Sequence, residues 1–339
     1  MSTENLALSP VLGPSPIPAL IGGILTAGLI RTGFGSFFFL LPLGIVVSGW
    51  NSRTGWLCCL TTALGNLFLS LSLAWGAGVA PLALVYDFAY FNLMIAGFTW
   101  VLTPVGTVAE PGRKNPLRNL PGVWRLSIAA MLGAALVLLG FSMDGGLVAD
   151  LFGAEVEMVA ALYSSMDQPA PALTAEAITR TLEAVMYRGG VLVSLMALFY
   201  GFLRLSQFIA RLARRRNRDP GLAAFRVDAW VIWPLSLSIA ALVLGLSLGI
   251  DPLEIGAWNV LVLCVILYLA QGWGIVSSFF SRPVSRSAVS PGLRLLLNVI
   301  FVILLFSPGI NAILLGALAL LGVAENWLPL RGQPTKRAD

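Results

Sequence analysis

The sequence predicts an all-α protein, a polytopic bundle of transmembrane helices, and three observations carry the prediction. Hydrophobic residues make up 58% of the chain and charged residues 11%, against roughly 45–50% and 25% in soluble domains. A chain so poor in charge cannot cover a soluble globule, so lipid is its solvent. The stretch 256–280, GAWNVLVLCVILYLAQGWGIVSSFF, contains no charge and is long enough for a helix to cross a hydrocarbon core of about 30 Å. Segments of this kind recur along the chain, and its strongly charged connections alternate from 103 onward, basic at 103–121, acidic at 144–187, basic at 211–218, acidic at 251–254 and basic at 282–294.

The elements follow in order. Residues 1–16 are rich in Pro and Ser and lack a basic start, unlike a cleaved signal peptide, and read as a flexible cytoplasmic lead. Ile17 to Trp50 is apolar apart from Arg31. That run is too long for one span and short for two. Gly33 and Gly35 favour two short helices with Arg31 at the turn; one long tilted helix is the alternative. Thr54 to Trp75 is a span with Asn66 near its middle, and Ala80 to Leu102 is another that carries Asp87. Residues 103–121 hold Arg113, Lys114 and Arg118 and read as a cytoplasmic loop.

Val123 to Met143 is a small-residue span suited to close helix packing. Residues 144–187 are acidic, with Asp144, Asp150, Glu155, Glu157, Asp167, Glu176 and Glu183. They are expected outside, as a helical hairpin of Phe152 to Met166 and Leu173 to Tyr187 lying on or capping the membrane. Gly189 to Ile209 returns to a basic run, Arg211, Arg214, Arg215, Arg216 and Arg218, which is the strongest orientation signal in the chain. Trp230 to Gly249 leads out, Asp251 to Glu254 is an outside turn, and 256–280 returns to Arg282, Arg286 and Arg294. Leu295 to Phe306 and Ile310 to Leu321 form two short arms around Ser307-Pro308-Gly309. The expectation is ten helical segments with both termini cytoplasmic, grouped as 17–216 and 217–330, with a tail at 331–339.

Composition also excludes chemistry. The chain has no histidine, which removes a Ser–His–Asp hydrolase and the usual zinc site. Cys58, Cys59 and Cys264 lie in apolar runs and read as small hydrophobes, with no disulfide framework. No P-loop or dinucleotide fingerprint is present and no cofactor is expected, and without nucleophile–base pairs an enzyme is not the reading. The net charge of +5 is assigned to orientation and not to nucleic acid.

The candidate ligand-binding residues are polar groups at membrane depth: Asp87, Asn66, Asn92, Asn259, Gln271, Asn298 and Asn311. Asp87 is either a ligand, cation or proton site, or an acid paired with Arg31 or Arg188. The amides either bridge helices or line a solute pocket, and Gln271 shares a helical face with Gly274 and Ser277 or Ser278. Arg211, Arg214, Arg215, Arg216 and Arg218 read as contacts for anionic lipid or a cytoplasmic partner. The favoured function is binding or transport of a small solute; the alternative is a scaffold for cell-envelope assembly with no substrate.

The C-terminal half carries Phe225-Arg226, Trp230, Trp233-Pro234, Asn259, Tyr268, Gln271-Gly272, Gly322, Glu325-Asn326-Trp327 and Arg331. On these residues it resembles the YybS-like family of bacterial membrane proteins over about 225–331. Asp228 stands where that pattern expects proline, and the basic residues after Arg331 are spread out. The resemblance implies a multi-pass protein of the bacterial cytoplasmic membrane and no particular reaction. The broken first helices are similar at fold level to the solute-binding subunits of energy-coupling-factor transporters and to MreD-like proteins. Orientation is testable directly: a cysteine placed at Ser164 should react with an impermeant maleimide on whole cells, and one at Asn217 should not. The opposite labelling pattern would invert the topology.

Overall fold

The computed structural model describes residues 16–32, 38–50, 52–77, 81–102, 122–143, 153, 156–161, 175–214, 225–281, 307, 310–328 and 330–331. Among them every regular element is helical. The chain divides into two compact units, 1–217 and 218–339. Six helical stretches are long and apolar enough to cross a bilayer: Arg53–Ser72, Val85–Leu102, Gly122–Met143, Ala175–Ile209, Ala229–Leu248 and Asp251–Ser278. The chain is therefore a multi-pass membrane protein built as an all-α bundle. Its outer surface fits that solvent, since Phe68, Leu132, Leu237 and Ile313 all face outward.

The first unit contains α1 (Pro16–Ile30), α2 (Leu40–Gly49), α3 (Ser52–Ala77), α4 (Pro81–Leu102), α5 (Gly122–Met143), α6 (Ala175–Val185) and α7 (Val191–Arg214). Ile17 to Trp50 thus forms two short helices, and Arg31 lies just beyond the end of the first. At ten residues, α2 is about 15 Å long and cannot span a membrane. It nevertheless sits at the centre, packed on α1, α3, α4 and α7. Leu40 and Leu43 are fully buried there, with Ile95 and Phe98 of α4 and Leu192 and Phe199 of α7. A Cβ on Gly44 would lie 2.0 Å from Ser206 Oγ, so only the bare backbone admits α7 this close. Hydroxyls in these apolar helices are met locally: Thr26, Thr62 and Thr99 each donate to the carbonyl four residues back.

The expected outer hairpin is described only in part. Residues 156–161 are helical, and α6 is strongly amphipathic with an exposed Arg180–Glu176 pair at 2.6 Å. α6 joins α7 through Met186–Gly190, where Gly189 has φ 112°. That left-handed conformation is open to glycine and strained for other residues.

The second unit contains a 3-10 turn (Ala229–Val231), α8 (Ile232–Leu248), α9 (Asp251–Ser281) and α10 (Ile310–Ala324). Asp251 to Glu254, expected as a loop, is instead the first turn of α9. The reversal is completed at Gly249, φ 66°, whose backbone caps α8 through Gly245. Two acids at a helix N-terminus meet the positive end of its dipole, which explains why they extend the helix. The arm Leu295 to Phe306 lies outside the described residues; the second arm is α10.

α9 and α10 pack antiparallel and very closely. A Cβ on Gly272 would stand 1.9 Å from the Leu318 carbonyl oxygen, and one on Gly322 2.0 Å from that of Tyr268. Gly316 has open space around it. Gly272→Ala should force the helices apart and cost about 3 kcal/mol. Gly316→Ala should stay within about 1 kcal/mol of wild type, its helix propensity working in its favour. Thermal unfolding of the two variants in detergent compares them.

Candidate functional site

The site begins with the register of α1 on α3. Gly23 lies against Thr61 and Ala27 against Gly65, so the two helices run parallel, four residues matching four. One further step of four brings Arg31 to the level of Asn66 and Ser70. The Arg31 Nη2 group donates to Asn66 Oδ1 at 3.0 Å and to Ser70 Oγ. The same nitrogen stands 2.7 Å from Asp87 Oδ2 on α4. Ser70 and Asp87 are each about two turns from the nearby ends of α3 and α4, which sets the cluster on the order of 10 Å below those ends. Arg31 also follows the C-terminus of α1, where the helix dipole favours a cation.

The cluster is neither closed nor saturated. The Arg31 side chain is 23% exposed and that of Asp87 31%. One guanidinium nitrogen with two hydrogens faces three acceptors. The contact with Asp87 is accordingly a charge contact and not an aligned hydrogen bond. Arg31 Nε, Asn66 Nδ2 and Asp87 Oδ2 have no hydrogen-bond partner among the described residues. Asn66 is itself fully buried. A fork that binds carboxylates through two nitrogens is used here through one.

Asn92 and Asn259 donate to carbonyls of their own helices, Phe88 at 2.7 Å and Ile255 at 2.9 Å. Asn311 opens α10, its backbone N–H donating to Ser307. Asn298, Arg215, Arg216 and Arg218 lie outside the described residues, and Arg211 and Arg214 fall in the last turn of α7. The sequence-based expectation missed Ser70. Its signal was its position, four residues after Asn66 on the same face of α3.

Gln271 belongs to the second unit and is 2% exposed. Its Oε1 accepts from the Val227 N–H at 2.6 Å, and its Nε2 donates to the Gly322 carbonyl at 3.0 Å. The side chain thus ties the segment before α8 and the seam of α10 to α9. Nearby, Asn326 Nδ2 donates to the Tyr268 hydroxyl at 3.1 Å. Arg331 grips Glu325 with both nitrogens of its fork, Nε to Oε1 at 2.7 Å, and both side chains are almost wholly buried. The Gln271 side chain is therefore committed to the α9–α10 seam.

Comparison of the chain with family models, with curated proteins and with solved structures finds no match.

Gln271→Ala would leave a buried N–H and a buried carbonyl without partners. It should destabilise the protein by about 3 kcal/mol. Denaturation monitored by tryptophan fluorescence tests this, and a loss below about 1 kcal/mol would contradict the bridging role.

Proposed function

We propose that this chain binds a small polar solute within the membrane, as a transporter or a solute-binding subunit, at the cluster of Arg31, Asn66, Ser70 and Asp87. The observation that carries the reading is the half-open Arg31–Asp87 pair, together with two donors, Arg31 Nε and Asn66 Nδ2, that have no hydrogen-bond partner among the described residues. A charge at membrane depth is costly, of order 3 kcal/mol at the bilayer centre. A purely structural pair would lower that cost by closing fully and filling its hydrogen bonds. This pair does neither. Three helices contribute to it, so occupancy would be coupled to the way α1, α3 and α4 pack.

The proposal includes the orientation read from the arginines, with both termini in the cytoplasm of a bacterium and the cluster nearer the outer face. It also includes the YybS-like resemblance of the second unit, in which Gln271, Gly272 and Gly322 lie at the packing seam and Glu325 and Arg331 pair just beyond α10. In this reading the binding residues belong to the first unit.

The test is native mass spectrometry of the full chain released from lipid nanodiscs. Wild type should carry a small molecule that Asp87→Asn loses, while Gln271→Ala, if folded, retains it. Identical spectra for wild type and Asp87→Asn would overturn the reading and leave the envelope scaffold, docked through Arg211 to Arg218, as the better account.

A further inference from the structure

Resting on the solute-binding reading above, we propose that the solute is a small zwitterion, held with its carboxylate on Arg31 and Asn66 and its ammonium on Asp87.

Charge balance selects the class. Arg31 and Asp87 are opposite charges 2.7 Å apart, so the cluster as a whole is neutral. An anion drawn to Arg31 would displace Asp87 and leave two negative charges facing one positive. A cation drawn to Asp87 would leave Arg31 with the reverse surplus. Either way one charge at membrane depth goes uncompensated, which is the arrangement that low-dielectric surroundings penalise most. An uncharged solute adds no charge but gives the pair no reason to open. A zwitterion exchanges one ion pair for two and keeps the sum at zero.

The hydrogen-bonding inventory points the same way. The cluster's atoms without a hydrogen-bond partner among the described residues are two donors, Arg31 Nε and Asn66 Nδ2, and one acceptor, Asp87 Oδ2. A carboxylate offers two oxygens to the two donors, and the guanidinium fork is shaped for it. An ammonium offers hydrogens to the Asp87 oxygen, with Ser70 Oγ beside Arg31 as a further acceptor. Asn66 adds weight because it is fully buried and carries an amide hydrogen-bond donor with no partner among the described residues. Such groups are rare in folded proteins and are normally met by a ligand or a water. The exposure of Arg31 and Asp87, about a quarter and a third of their side-chain surface, leaves the pair reachable.

The experiment uses the full chain in lipid nanodiscs and follows thermal unfolding at constant ionic strength. The probes are glycine, β-alanine and 4-aminobutyrate, whose charges lie progressively further apart. The comparison set is acetate, methylammonium and acetamide. At least one zwitterion should raise the midpoint by on the order of 5 °C at concentrations about 100-fold above its Kd. The three comparison molecules should leave it unchanged. Arg31→Gln and Asp87→Asn should each abolish the shift. The double variant Arg31→Gln/Asp87→Asn removes both charges and keeps the sum at zero, so it should fold and also show no shift. Acetate or methylammonium stabilising as well as the zwitterions would overturn the class while leaving solute binding intact. A zwitterion shift that survives in the double variant would place the ligand elsewhere and overturn the proposal. Silence from all three zwitterions would overturn the class too, and solute binding would then be judged by whether wild type retains an Asp87-dependent small molecule.

Discussion

An arginine inside a membrane bundle has to be met, and the first unit is arranged around meeting Arg31. Its charge requires Asp87, from a different helix. Its hydrogens require Asn66 and Ser70, from a third. Those partners are in reach only because α1 and α3 lie parallel and in register. That register depends on small residues at Gly22, Gly23 and Gly65, which let the two helices touch. A parallel pair joined in sequence needs a returning segment between, and the short α2 supplies it. The central packing of Leu40, Leu43, Phe98 and Phe199 is then the apolar counterpart of one polar requirement.

The second unit solves a similar problem differently. Glu325 and Arg331 form a buried pair with both oxygens and both nitrogens of the fork engaged. Gln271 commits both ends of its amide to backbone partners. Polar groups this well satisfied specify how helices meet, and they have little left to offer a solute. The contrast gives a physical criterion for separating the two clusters. Both contain an arginine–carboxylate pair. One is closed and two-pronged, the other half-open and one-pronged, and only the second has donors to spare.

Much of the fold was legible because a lipid solvent simplifies the code: a long uncharged run has few alternatives to a helix. Ser52–Ala77, Pro81–Leu102 and Gly122–Met143 lie within a few residues of their expected bounds. The miss at Asp251 and Glu254 arose because acids were read as loop, whereas at a helix start they are favourable. The pairing of Arg31 with Asp87 could be named only as one option beside Arg188, since hydropathy fixes depth and not azimuth. Ser70 was overlooked because hydroxyls in apolar helices usually bond their own backbone, as Thr26, Thr62 and Thr99 do here. Periodicity placed Gln271 on a shared face with Gly274. It could not say that the Gln271 amide is spent on the Val227 N–H and the Gly322 carbonyl.

The joint at Gly189 has a mechanical consequence. A continuous helix is stiff along its axis, so tilting one end tilts the other. Here Arg188, with φ −88° and ψ 29°, and Gly189 break that continuity within two residues. The amphipathic α6 therefore keeps an axis of its own, while the direction of α7 is set by its packing on α2 and α5. A change in the tilt of α7 need not be passed on to α6.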